Sequence, residues 1–231
     1  LRLGIVLDQV RVRGADVGVQ LGRERLLFDP FAHVRPDTRE LGDVPTQLAA
    51  LDTTTLSALD ETQMGALNAT QIKALTATQI SGLTAEDVAE MTTTQIANLA
   101  ATQVQALTST NMASMADTQV AAFTTSQVKA FSASTIAAFT DTQIAALTTT
   151  QVSALGATQI AGLTETNVAA MTNTQIGAIT ATQIASLTAT AVSGFDSAQF
   201  ASLSTTQVKA LTTTQMSALN ATDISDFTNT Q

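Results

Sequence analysis

An octapeptide recurs without insertion or deletion from about Val44 to the C-terminus, and this fixed period limits the fold more than any other feature. Its clean form is Thr76-Ala77-Thr78-Gln79-Ile80-Ser81-Gly82-Leu83. The position of Gln79 is glutamine in most repeats and is otherwise Thr55, Asp87, Asn111, Thr135, Asn167, Ala191 or Asp223. The position of Thr76 is filled mainly by Thr, elsewhere by residues such as Asp52, Asn68, Ser132 and Gly156, and twice by alanine, Ala100 and Ala116. Apart from the alanines, these are the residues preferred at a helix N-cap, where a short side-chain oxygen accepts from an otherwise unpaired first-turn amide.

The rest of the unit agrees with a cap. Gln three residues on can reach back to the cap's own N–H, so Thr-x-x-Gln is a capping box. Leu75 and Ile80 stand where a hydrophobic staple closes across the cap, and Leu67/Ile72, Leu107/Met112, Phe139/Ile144 and Leu211/Met216 repeat the pair. Each octapeptide therefore predicts one helix of about two turns. The fold class expected is all-α: an α-solenoid, a right-handed superhelix of two-turn helices, one per repeat, with Ile80- and Leu83-type residues inside. One unit alone cannot offset the entropy of ordering eight residues, and helices this short do not persist alone in water. Neighbouring units must supply the rest, as in a quasi-one-dimensional solenoid.

A single continuous helix is excluded, because eight residues leave the apolar pair about 80° off register. A β-solenoid is the rival, with Thr148/Thr150 and Thr180/Thr182 on one strand face. Against it, Ile80 and Leu83 would point to opposite faces, the alanines are poor strand formers, and regular Gly, Asn or Pro corners are missing. Disorder is the third alternative for a sequence of such low complexity.

Residues 1–43 differ in kind. They hold all seven arginines, the single histidine His33, and two of the three prolines. Val10-Arg11-Val12-Arg13 and Val17-Gly18-Val19-Gln20-Leu21 alternate around Gly14-Ala15-Asp16, which predicts a β-hairpin with those three residues as its turn, followed by a strand through residues 23–28. The expected division is therefore a β-type end of a preceding domain, or an N-terminal cap, at 1–43, and the octapeptide solenoid at 44–231. Pro45 would stand at the first helical position of the first repeat, where its missing N–H is harmless. A first residue other than Met and a last repeat cut at Gln231 read as a fragment of a longer chain.

No chemistry-bearing constellation is visible, so the expected catalytic, cofactor and metal residues are none. The chain has no cysteine, which removes disulfides, thiol nucleophiles and zinc-thiolate sites. His33 lies in an Arg- and Pro-rich turn without a partner in the pattern. Ser153 and Ser217 lack a nearby base. Asn68-Ala69-Thr70 and Asn220-Ala221-Thr222 match the glycosylation acceptor pattern, yet both asparagines stand at cap positions where Asn is expected anyway. The net charge is −9, and the repeats carry Lys73, Lys129 and Lys209 against twelve acids, which disfavours nucleic acid. Asp52, Asp60, Asp117 and Asp196 sit at or beside caps, where carboxylates complement the helix dipole. No apolar run approaches the roughly 20 residues of a membrane span. What remains is a surface of threonines and glutamines at fixed pitch, suited to a periodic ligand such as ice or a glycan.

The run Leu-Thr-x-Thr-Gln-Ile-x-Ala resembles the octapeptide arrays of large bacterial surface and secreted, adhesin-like proteins. Over residues 44–231 the cap-and-staple pattern is also loosely similar to the short-helix superhelices of the mesothelin and stereocilin type. The resemblance implies architecture and an extracellular or cell-surface setting, and transfers no site residues. The function expected is a non-enzymatic structural spacer or interaction array in a larger bacterial surface-exposed or secreted repeat protein. Its partners would be protein or cell-surface molecules, without nucleic acid or membrane insertion, and self-association through the solenoid ends is compatible with it. The alternative is a ligand-binding module using the Thr/Gln surface, in a helical or a β-solenoid.

Overall fold

The computed structural model of the protein describes residues 44–227, and before them the backbone of four two-residue strands. Among the described residues the repeats form 23 short helices, from Val44–Ala49 to Ala221–Ser225, one to each octapeptide. The β-solenoid is therefore overturned. Its strands would have split Ile80 and Leu83 between two faces, whereas the helix puts both inside, at 0 % and 5 % exposure. Each helix has four to six residues, between one and two turns. The first opens at Val44, so Pro45 stands second in it rather than first.

The corner between helices explains the missing glycines. The helix Ala77–Gly82 ends at Leu83 with φ −61°, ψ 139°, and Thr84, which caps the next helix, has φ −72°, ψ 166°. Two successive extended residues with negative φ turn the chain, and any L-residue adopts them. The amide of Leu83 closes the helix by donating to the carbonyl of Ile80 at 3.3 Å. One corner residue is thus the buried apolar residue of its own unit, and the other is the cap of the next.

By contact density the chain divides into two compact units, Leu1–Ala106 and Leu107–Gln231. In the first, helix Val44–Ala49 packs on Ala69–Ala74, and Ala77–Gly82 on Ala101–Ala106. In the second, Asp117–Ala121 packs on Asp141–Ala146, and Ala189–Val192 on Thr213–Ala218. Within each unit a helix therefore rests on the one three octapeptides away. Ile, Val, Met, Leu or Phe from the middle of most helices and Leu, Met, Phe or Ile from most corners fill the interior, while Met216 and Ile224 near the C-terminal end are exposed. In the second unit the rings of Phe123, Phe131 and Phe139 follow one another edge to face, with centroids 4.9 and 5.5 Å apart.

In the N-terminal segment, Arg11 pairs with Asp16 and Val12 with Ala15, while Gln20 pairs with Arg25 and Leu21 with Glu24, both antiparallel. This corrects the expected hairpin. Ala15 and Asp16 belong to a strand rather than to the turn, so the pairing closes locally. Residues 17–19 and 26–28 lie outside the described residues, as does His33.

Candidate functional site

The residue that organises the fold is the glutamine, and its role extends past the capping box. Thr140 caps helix Asp141–Ala146: its Oγ1 accepts from the amide of Gln143 at 3.3 Å, while the Gln143 Oε1 accepts from the amide of Thr140 at 3.0 Å. The other end of the same side chain crosses to an earlier turn. Gln143 Nε2 donates to the carbonyls of Met112 and Met115 at 2.8 and 2.7 Å, 31 and 28 residues upstream. Gln79 does the same to Leu48 and Leu51, and Gln215 to Ile184 and Leu187. The accepting carbonyls belong to the last turn of a helix and to its C-cap: that of Met112 already accepts from Met115 N–H and takes the amide as a second donor, and that of Met115 lies just past the helix. One amide thus caps the start of its own helix and the end of another, four octapeptides before it.

This double duty fixes which amide atom is which. The cap N–H needs an acceptor and the two carbonyls need a donor, so the oxygen faces one way and the nitrogen the other. Gln143 is 1 % exposed, and glutamines at the same position elsewhere in the interior are comparably buried. The expected Thr/Gln surface is therefore corrected: the glutamines are inside. Sequence reading missed this, although a signal was present. Glutamate serves a capping box as well and suits the positive end of a helix better, yet no repeat has it at this position. A carboxylate cannot donate, and the clamp must.

Where the cap side chain is absent, the glutamine holds the helix alone. The amides of Ala100, Ala116 and Gly156 donate to the Oε1 of Gln103, Gln119 and Gln159 at 2.6, 2.7 and 2.6 Å. Acids at caps behave as expected: Asp60 accepts from the amide of Gln63 and Asp196 from that of Gln199, at 2.9 and 2.7 Å. Asp52 accepts from Thr55 N–H at 2.7 Å, and this bond chiefly holds its carboxyl below the usual value near 3.8. Asn68 and Asn220 are exposed caps, each accepting from two first-turn amides.

What faces outward is simpler. The cap and the second helical residue, for example Thr76 and Thr78 or Thr92 and Thr94, are exposed. Lys73, Lys129 and Lys209 are exposed as well. Ser153 donates to the carbonyls of Thr149 and Ala178 at 2.8 and 2.9 Å, and Ser217 to that of Thr213 at 2.7 Å, so both hydroxyls serve the backbone. Among the described residues no three acids or imidazoles gather as metal ligands, and no helix is long and apolar enough to cross a membrane.

A family model described as the ALTTAQ repeat matches residues 120–157. The six letters of that description correspond to Ala146-Leu147-Thr148-Thr149-Thr150-Gln151, with Thr150 in place of the second alanine. They run across the corner from the buried leucine through the cap to the clamp, the segment in which most of the side-chain hydrogen bonds above are made. No curated protein matches the chain.

Proposed function

We propose that residues 44–231 are a non-enzymatic structural spacer or interaction array, with residues 1–43 as a separate N-terminal element. One observation carries this reading. The most regular polar side chain of the repeat is buried and bonded at both ends to the chain's own backbone, so its recurrence is accounted for by folding. Such an array gains or loses reach by whole octapeptides, because each unit meets the same partners in its neighbours. The setting in a larger bacterial surface or secreted protein rests on the sequence resemblance. Locating the protein in fractionated cells tests it, and a purely cytoplasmic pool would contradict it.

The exposed threonine at the second helical position favours a second reading. Thr78, Thr94 and Thr102 recur there although alanine would suit the helix better. A ligand-binding module for ice or glycan would need them. Ice-recrystallisation and glycan-array assays on residues 44–231 separate the two. Binding that disappears when these threonines become alanine would overturn the spacer reading.

A further inference from the structure

The seven units that lack glutamine at the clamp are not scattered. Thr55, Asp87, Asn111, Thr135, Asn167, Ala191 and Asp223 follow one another in steps of 24 or 32 residues, averaging 28. Clamps join residues 28 and 31 apart, so 28 residues, or three and a half octapeptides, approximates one superhelical turn. Within one compact unit, substitutions paced at one turn fall on one side. Within the unit Leu107–Gln231, Asn111 and Asp223 stand 112 residues apart, four such turns, with the other three between them.

Two independent features gather at the same units. Glycine occurs just before the corner residue at Gly82, Gly162 and Gly194, where alanine is usual. An added Cβ would lie 2.6 Å from Thr53 Cγ2, 2.7 Å from the Ala133 carbonyl oxygen and 2.6 Å from Glu165 Cγ, respectively. Thr53, Ala133 and Glu165 open the helices that carry Thr55, Thr135 and Asn167. All three glycines thus mark places where a neighbouring turn closes down on a unit without the glutamine. Six of the seven helices without glutamine are also short: Thr53–Leu56, Ala85–Ala89, Ala133–Ala137, Glu165–Ala169, Ala189–Val192 and Ala221–Ser225 have four or five residues, while Ser109–Ser114 has six. Six is usual where glutamine is present.

The chemistry is weaker at Ala191, Asp87, Thr135 and Asn167. Ala191 has no donor, and the carboxylate of Asp87 accepts from Thr84 N–H and has nothing to donate. The Thr135 hydroxyl lies 2.7 Å from that of Ser132, within its own unit. Asn167 is one methylene shorter than glutamine and reaches a single upstream carbonyl, that of Phe139, at 3.1 Å.

We propose that within each compact unit these repeats form a seam along one side, on which successive turns rest close together without a glutamine clamp and along which the array opens first. The clamped side then holds the turns in register while the seam yields, which makes the array a compliant spacer. The mechanical meaning rests on the spacer reading. The opening pattern does not, because it is a property of the fold and is measured without any partner.

Hydrogen exchange on the full chain tests it. Amides of residues 133–139 and 189–195 should exchange at least about tenfold faster than those of 141–147 and 149–155, the ratio expected from losing one or two buried hydrogen bonds. Equal or greater protection on the seam would overturn the proposal. Gln151→Ala removes a clamp away from the seam, at a position type where Ala191 shows alanine to be accommodated. It should raise exchange over 149–155 to the seam's rate, and unchanged exchange there would show that the clamp does not control opening.

Discussion

At the scale of the residue, a side-chain amide accepts at one end and donates at the other, which a carboxylate cannot do. Gln151 accepts from Thr148 N–H at 2.7 Å and donates to the Phe123 carbonyl at 2.7 Å, with longer contacts to Ala121 and Val120. Gln151→Glu keeps the first bond and aims a buried negative charge at carbonyl oxygens. We expect a loss of about 3 kcal/mol or more at neutral pH. The sign of its pH dependence follows. Burial raises the folded-state value of the new carboxyl, so the penalty is absent below the ordinary glutamate range and grows as pH rises through it. Thermal melts of the variant at low and neutral pH check this, and a pH-independent loss would refute it. Asp52 behaves oppositely. Its depressed carboxyl stabilises the cap above the usual range near 3.8 and loses that contribution as pH falls through the lowered folded value, which a side-chain NMR titration would follow. Cap substitution separates register from propensity: Thr148→Ala should cost about 1 kcal/mol, while Thr149→Ala, one residue into the helix, should cost little or help. Chemical denaturation of the pair gives the comparison.

At the scale of the element, most of the octapeptide was legible in the sequence. The cap at Thr76, the reverse bond from Gln79 and the buried pair Ile80 and Leu83 follow from local rules of three- and four-residue reach. The clamp was not legible in the same way, because its acceptors lie 28 and 31 residues away and no local rule reaches them. Its only trace is the avoidance of glutamate. Placing Gln79 on the surface was the natural error, since a capping box alone is satisfied in water. The close approach of turns was equally hidden, as Gly162 and Gly177 lie one octapeptide position apart and no local rule says which of the two faces a neighbouring turn. Gly162 would put a Cβ 2.7 Å from the Ala133 carbonyl oxygen, whereas nothing lies within 4 Å of one at Gly177. Gly177→Ala should therefore stabilise by about 0.5–1 kcal/mol through helix propensity. Gly162→Ala should lose about 1–3 kcal/mol, because backbone rather than a flexible side chain must give way. Melting temperatures moving in the same direction would contradict the packing.

At the scale of the whole molecule, stability is a sum of similar contributions from units that see only near neighbours. That makes the number of octapeptides the controlling variable. Each clamp spans four repeats, since its donor and acceptors lie 28 to 31 residues apart. Three octapeptides contain the caps and staples but not one clamp, and each of their helices is too short to persist in isolation. Deleting residues 148–155 removes one unit and presents each later glutamine whose clamp reaches across or into it with equivalent carbonyls from the preceding unit. Deleting residues 148–151 alone shifts by half a repeat the clamps that cross it, those of Gln159, Asn167 and Gln175, onto carbonyls that already accept within their own helices. We expect the eight-residue deletion to keep helix content per residue and a cooperative melt, and the four-residue deletion to lower helix content and broaden the melt on far-UV circular dichroism. A truncation series ending at successive octapeptides should show little helix until the first clamps can close, at about five repeats, and a steep rise beyond. A gradual rise beginning with the first repeat would mean that caps and staples alone hold the array, and that the buried glutamine is a passenger rather than the tie between turns.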